Sequence, residues 1–279
     1  MTKLPGGLPL RLRVQFTVTR GVTRFLRFVG LRDAVLRARW AFARARRRVF
    51  ERFGSVKYGM PALHGMDRKL EAITGLDGGF FVEAGGHDGF TQSNSYYLER
   101  FRRWRGVLVE PMPELAAEAR RNRPDARVFQ CALVSPDYAD STVEMEFGDL
   151  LSTVRGAHDD DYHYVQGGLL LGWRDHRVEQ VPAHTLDEVL DKAGASRVDL
   201  LSLDVEGYED QVLRGLDLSR WEPRWILVEM HDLDVGRPKM KAVLGERYIE
   251  HEQLSPLDVL YRRSDVESVA RPDQDVSKL

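Results

Sequence analysis

From Gly79 onward, short apolar runs alternate with amphipathic stretches, and that alternation restricts the chain to an α/β fold on a mostly parallel sheet. Strands are expected at Phe80–Ala84, Val107–Glu110, Val128–Leu133, Val198–Asp204 and Trp225–Met230. Helices are expected between most of them, at Ser93–Trp104, Pro113–Asn122, Leu186–Ala193 and Tyr208–Leu216. Pro113 suits a first helical turn, and Gly194 follows a helix as a stop. Tyr248–Gln253 and Asp258–Arg262 flank Leu254-Ser255-Pro256 and read as an antiparallel hairpin closing the sheet. The stretch from Gly148 to His184 is expected to be long and irregular, a loop region of the kind that sets specificity.

Length and charge divide the chain unevenly. Its 279 residues accommodate one catalytic domain plus an appendage. From Met1 to Lys57 there are 15 Lys plus Arg against Asp33 and Glu51, a local charge of +13 inside a chain of net charge -2. The expected division is therefore residues 1–57, an arginine-rich helical extension, and residues 58–279, the catalytic domain. Any attraction to anionic lipid belongs to the extension, and no nucleic-acid partner is expected because no recognised motif accompanies the charge. Arginine interrupts every apolar stretch before a membrane span accumulates, and no signal-peptide core is visible. Cys131 is the only cysteine, which excludes an internal disulfide and fits a reducing compartment. The expectation is a cytoplasmic protein, peripheral on the inner face of the membrane if the basic helix engages it.

The segment from Phe80 to Gly89, Phe-Phe-Val-Glu-Ala-Gly-Gly-His-Asp-Gly, is a strand entering a glycine turn. Glycines there let the backbone approach a ligand closely. About twenty residues on, Val107-Leu108-Val109-Glu110-Pro111 ends a second strand with an acid placed to accept hydrogen bonds from ribose hydroxyls. Ala84-x-Gly86-x-x-Gly89 also half-matches a dinucleotide fingerprint, so an NAD-dependent oxidoreductase is the enzyme alternative. Glu83 argues for S-adenosylmethionine instead: a carboxylate at the strand tip suits a cationic amino group and repels a pyrophosphate.

These residues resemble the FkbM-type S-adenosylmethionine-dependent methyltransferases. The resemblance runs through Phe80 to Gly89, Ser93-Asn94-Ser95, Tyr97-Leu98-Glu99, Trp104-Arg105-Gly106 and Glu110-Pro111. A second block, Val198 to Glu209 with its Asp204-Val205-Glu206-Gly207-Tyr208-Glu209 string, is more specific, and Val212-Leu213-Arg214-Gly215-Leu216 follows it. Gly86-His87 departs from the more common Ala-Asn or Ala-Tyr. The resemblance covers roughly Gly79 to Arg263 and implies a class I, Rossmann-like fold with a mostly parallel seven-strand sheet. It also implies methyl transfer to a hydroxyl oxygen, of a sugar, glycolipid or secondary metabolite.

The candidate cofactor contacts are Glu83, Gly85, Gly86, Asp88, Gly89, Ser93, Glu110, Pro111, Cys131, Ala132 and Asp204. The candidate catalytic residues end the fourth and fifth strands: Asp204 with Glu206, and His231, the first choice for general base. Alternatively Asp204 and His231 hold Mg2+, which would acidify an acceptor hydroxyl. Asp159-Asp160-Asp161, Tyr162, Tyr164 and Trp173 suit a polyhydroxyl acceptor, and His158, His163 and His176 show no metal spacing. The non-enzyme alternative is an inactive, membrane-associated binding protein that keeps a methyltransferase fold.

Overall fold

The computed structural model describes residues 32–147, 152–155 and 177–267. The acidic triplet, the three histidines and the aromatics expected to face an acceptor lie outside the described residues, as does the extension before Arg32. The chain divides into two compact units, Met1–Gly59 and Met60–Leu279. The first carries one long helix, α1 (Arg32–Arg52). Beyond its end Tyr58 turns back, its ring edge-on to Phe50 at 4.9 Å and under the Arg46 guanidinium at 4.0 Å.

The second unit opens with α2 (Met66–Thr74), followed by β1 (Phe80–Ala84), α3 (Tyr96–Arg102), β2 (Arg105–Val109), α4 (Pro113–Asn122) and β3 (Arg127–Phe129). Then come β4 (Ala132–Leu133), β5 (Thr142–Phe147), β6 (Thr153–Val154) and β7 (Arg177–His184). After them run α5 (Leu186–Lys192), β8 (Leu200–Leu203), α6 (Glu209–Arg214), β9 (Trp225–Glu229), α7 (Leu233–Leu244), β10 (Tyr248–Gln253) and β11 (Asp258–Arg263). The main sheet has the order β10-β11-β9-β8-β1-β2-β3, parallel except for β11, which runs antiparallel to both β9 and β10. The expected closing hairpin is thus present. Val82, Val107, Leu108, Leu201 and Ile226 are fully buried, as central strands covered on both faces require.

Three departures from the sequence reading have physical causes. The run Val128–Leu133 is not one strand: β3 pairs with β2, whereas β4 leaves the main sheet to pair with β7. The irregular stretch ends in a regular strand, because β7 alternates exposed and covered residues and pairs with β5 over six positions. Together β4, β7, β5 and β6 form a small second sheet whose apolar face, including Val143, Met145, Phe147 and Val181, packs with Met112 and Leu115.

The third departure is α7, which the sequence conceals because Gly236 and Pro238 both read as breakers. Asp232 caps it, its Oδ1 accepting from the N–H groups of Asp234 and Val235 at 2.9 and 3.3 Å. Gly236 is there for contact: a β-carbon would sit 2.5 Å from the Met230 sulfur. Among the described residues, no helix is long and apolar enough to cross a membrane.

Candidate active site

Strand order fixes where a ligand can bind. From β1 the chain moves outward through β2 and β3, then returns to lay β8 against the other side of β1. A crevice opens at such a switch point beyond the carboxyl ends of the strands. Here it encloses about 910 Å3 of open space, mouth included. Of the expected cofactor contacts, Glu83, Gly85, Ser93 and Glu110 line it, as do Pro111, Cys131, Ala132 and Asp204.

Gly85 has φ +85°, and a β-carbon there would fall 1.8 Å from the Asp204 carbonyl oxygen. This position therefore admits only glycine, and it brings the ends of β1 and β8 together. Gly86, Asp88 and Gly89 stand outside the lining and build the turn behind it. The Asp88 carboxylate accepts from the N–H groups of Phe90 and Thr91 at 2.9 and 2.6 Å. Burial alone would raise its pKa, but His87 and these donors hold it well below the usual carboxylate range. His87 itself has φ 44° and lines the crevice. Its backbone N–H and that of Met112 each donate to the Glu110 carboxylate at 2.9 Å. Glu110 is 5% exposed, and burial raises its pKa against the pull of His87 and those two donors.

Glu83 is held more heavily than the sequence suggests. Its carboxylate accepts from Ser93 Oγ at 2.8 Å, the Asn94 N–H at 2.7 Å and Ser95 Oγ at 2.5 Å. Behind this cluster lies Arg123, 1% exposed. Its guanidinium donates to Ser93 Oγ, Ser95 Oγ and the Gly89 carbonyl at 3.1, 2.9 and 3.2 Å, and pairs with Glu99 at 2.6 Å. It lies 5.0 Å from the Phe81 ring centroid and 5.4 Å from that of Tyr96. Sequence reasoning missed Arg123 and also Ser202, whose hydroxyl accepts from Asn94 Nδ2 at 3.2 Å. Ser202 carried a signal: it is the one polar residue in the buried strand Leu-Leu-Ser-Leu.

At the opposite end, Asp204, Glu206 and Tyr208 line the crevice, and His231 does not. His231 stands beside Glu206 with Nε2 2.7 Å from Glu206 Oε2. That hydrogen bond raises the histidine pKa above its usual value; burial opposes the rise, and the Glu206 charge adds to it. Glu206 is 7% exposed and has φ 56°, a left-handed conformation that costs a non-glycine residue on the order of 1 kcal/mol or more. Two contacts hold that turn: Thr153 Oγ1 donates to the Glu206 carbonyl at 3.1 Å, and the Gly207 N–H donates to Glu209 at 3.0 Å. Glu209 is pushed up to about 7 by burial. Burial, then the carboxylates of Glu229 and Glu206, push Asp204 well above the carboxylate range. Burial likewise pushes the Cys131 thiol up to about 12, leaving it an uncharged wall of the crevice.

The residues do not fit the magnesium site that Asp204 and His231 suggested. His231 Nε2 is occupied by Glu206, and Asp204 shares a hydrogen bond with Glu229. Among the described residues, no group of three or more His, Cys, Asp or Glu is arranged to hold a metal.

Sheet order and crevice together define a class I, Rossmann-like methyltransferase fold. The chain belongs to the FkbM methyltransferase family: residues 83–253 match the family model described as Methyltransferase FkbM domain. Methyltransferase sdnD of Sordaria araneosa is 42% identical over 55 residues, which is 19% of this chain and 21% of that protein. The chain thus aligns with about a fifth of that curated relative. Among solved structures, the FkbM methyltransferase of Methylobacillus flagellatus is similar over 67% of this chain and 44% of its own, with 15% identity and a TM-score of 0.40. A TehB-like SAM-dependent methyltransferase of Corynebacterium glutamicum is similar over 81% and 98%, with 12% identity and a TM-score of 0.39.

Proposed function

We propose that this chain transfers a methyl group from S-adenosylmethionine to a hydroxyl oxygen of a sugar, glycolipid or secondary metabolite. One observation carries the reading: the crevice is lined by the carboxyl groups of Glu83, Glu110, Asp204 and Glu206 and by no lysine or arginine among the described residues. Such a wall suits a sulfonium cation with an ammonium group and repels a pyrophosphate, which counts against the NAD alternative.

S-adenosylmethionine supplies, when bound, a methyl group on a positively charged sulfur. Glu110 would receive the ribose hydroxyls, its carboxylate keeping acceptor capacity beyond the two N–H groups it already holds. Glu83 offers its charge to the amino group through the Ser93 turn. Glu206 faces the acceptor, with His231 behind it, and the pair works as one proton acceptor. When an acceptor hydroxyl gives up its proton, the pair would take it, passing from carboxylate beside neutral imidazole to carboxylate beside imidazolium.

The acceptor enters from the adjoining groove, which shares Val154 and Tyr208 with the crevice and encloses about 1030 Å3 of open space. Tyr138, Ser141, Glu144 and Gln180 give that groove hydroxyl, carboxylate and carboxamide groups suited to a polyhydroxylated molecule.

Calorimetry with S-adenosylhomocysteine, run beside NAD, tests the cofactor. Binding of NAD without S-adenosylhomocysteine would sink the reading. Transfer of a labelled methyl group into a panel of sugars, glycolipids and hydroxylated metabolites tests the acceptor. An alkali-stable methyl ether is the expected product, and a methylated amine would retain the methyltransferase while removing its oxygen specificity.

A further inference from the structure

The helix α1 and the residue that follows it carry exposed large apolar side chains. Phe42 is 68% exposed, Val49 54% and Phe53 82%. Phe42 and Val49 are seven residues apart, so at 3.6 residues per turn they lie within a narrow sector of α1, with exposed Ala45 between them, and Phe53 is the first residue beyond the helix. Single exposed apolar residues need no explanation; two on one helical sector with a third just beyond the helix end do. Exposed Arg46, Arg48 and Arg52 flank this apolar patch.

Charge selects the occupant. Over Arg32–Arg52 there are eight arginines against Asp33 and Glu51, a net charge of +6, and the chain before the helix adds only positive charge. A second copy laid along the patch would bring two such helices together and repel. A neutral partner would leave the net positive charge of the helix uncompensated. A bilayer rich in anionic lipid meets both needs, since acyl chains receive the aromatic rings while headgroup phosphates pair with the guanidinium groups. We infer that α1 docks in the plane of an anionic membrane, with Phe42, Val49 and Phe53 inserted and Arg46, Arg48 and Arg52 on the headgroups. The helix lies on the surface and does not span it.

Vesicle co-sedimentation of the full chain tests this. The protein should pellet with mixed phosphatidylcholine–phosphatidylglycerol vesicles and stay in solution with phosphatidylcholine alone. Replacing the three together (Phe42→Ala, Val49→Ala and Phe53→Ala) keeps good helix formers in place and should weaken binding about tenfold or more. Should that variant lose helicity by circular dichroism, Arg46→Gln with Arg52→Gln is the second arm, and it should weaken binding and remove part of its salt sensitivity. Equal pelleting of wild type and both variants would overturn the proposal. So would a dimer in sedimentation equilibrium that the triple variant dissolves, which would place a second copy on the patch.

Discussion

The two ends of the crevice are built from the same residue types for opposite purposes. At the Glu83 end each carboxylate oxygen already has a donor, and buried Arg123 ties three elements of the surrounding turn together. At the Glu206 end the carboxyl groups are crowded, one residue sits in a left-handed conformation, and pKa values move upward at Asp204, Glu209 and His231. Saturated hydrogen bonding fixes shape, whereas crowded acids with raised pKa values can exchange protons near neutrality. On the proposed reading, the first end positions the cofactor and the second carries the proton chemistry.

The largest effect should come from the fixed end. Arg123→Met roughly keeps volume but leaves buried Glu83 and half-buried Glu99 without their cation, which should cost about 3 to 5 kcal/mol of stability. Urea unfolding measures it. A loss below about 1 kcal/mol, the scale of a surface pair, would show that Arg123 does not organise the turn.

Next in size is the proton-exchanging end. Glu206→Gln removes the crevice carboxylate proposed to face the acceptor and should lower turnover by about 10² to 10⁴ while sparing S-adenosylhomocysteine affinity. The wild-type rate should rise with pH through the His231 ionisation, because the proton-accepting form has neutral imidazole beside carboxylate. Since Glu206 raises that pKa, the rise should be centred above the ordinary histidine value. A flat profile across neutrality, with turnover retained in Glu206→Gln, would move the base elsewhere.

Much of the frame was legible because its cause is local. Parallel strands buried on both faces must be continuous apolar runs, so β1, β2 and β9 stood out, and the glycine turn after β1 lies within ten residues of sequence. The partnership of Arg123 with Glu83 was not legible. The two are forty positions apart, and Arg120-Arg121-Asn122-Arg123 reads as a solvated helix end, although Arg123 is the one of its three arginines that is buried. The relation of His231 to Glu206 had the same character: strand-end logic put both near the crevice, but only side-chain geometry showed which of them lines it. The small second sheet stayed hidden because its strands pair across an interval with no regular spacing.

A smaller change is expected at Glu110, which belongs to the fixed end yet has an upward pKa. Glu110→Gln should weaken S-adenosylhomocysteine binding by about 1 to 3 kcal/mol, through loss of a charged acceptor. The carboxylate is the binding form, so wild-type affinity should decline as pH falls through the raised Glu110 ionisation, and the variant should lack that decline. Calorimetry at several pH values checks both points.

The smallest effect isolates a single contact. The 2.7 Å hydrogen bond between Glu206 and His231, with the glutamate charge behind it, favours imidazolium over imidazole. In Glu206→Gln the charge is gone while a side chain of the same shape remains, so burial, which favours the neutral ring, is left as the main influence. The His231 pKa should therefore fall relative to wild type, and NMR titration of its ring protons reads the change without any substrate. An unchanged titration would mean that the neighbouring acids Glu229 and Glu209 set the histidine's charge. Proton exchange would then belong to the whole acidic end and not to one pair. A fall in pKa together with lost turnover would tie both to the same carboxylate.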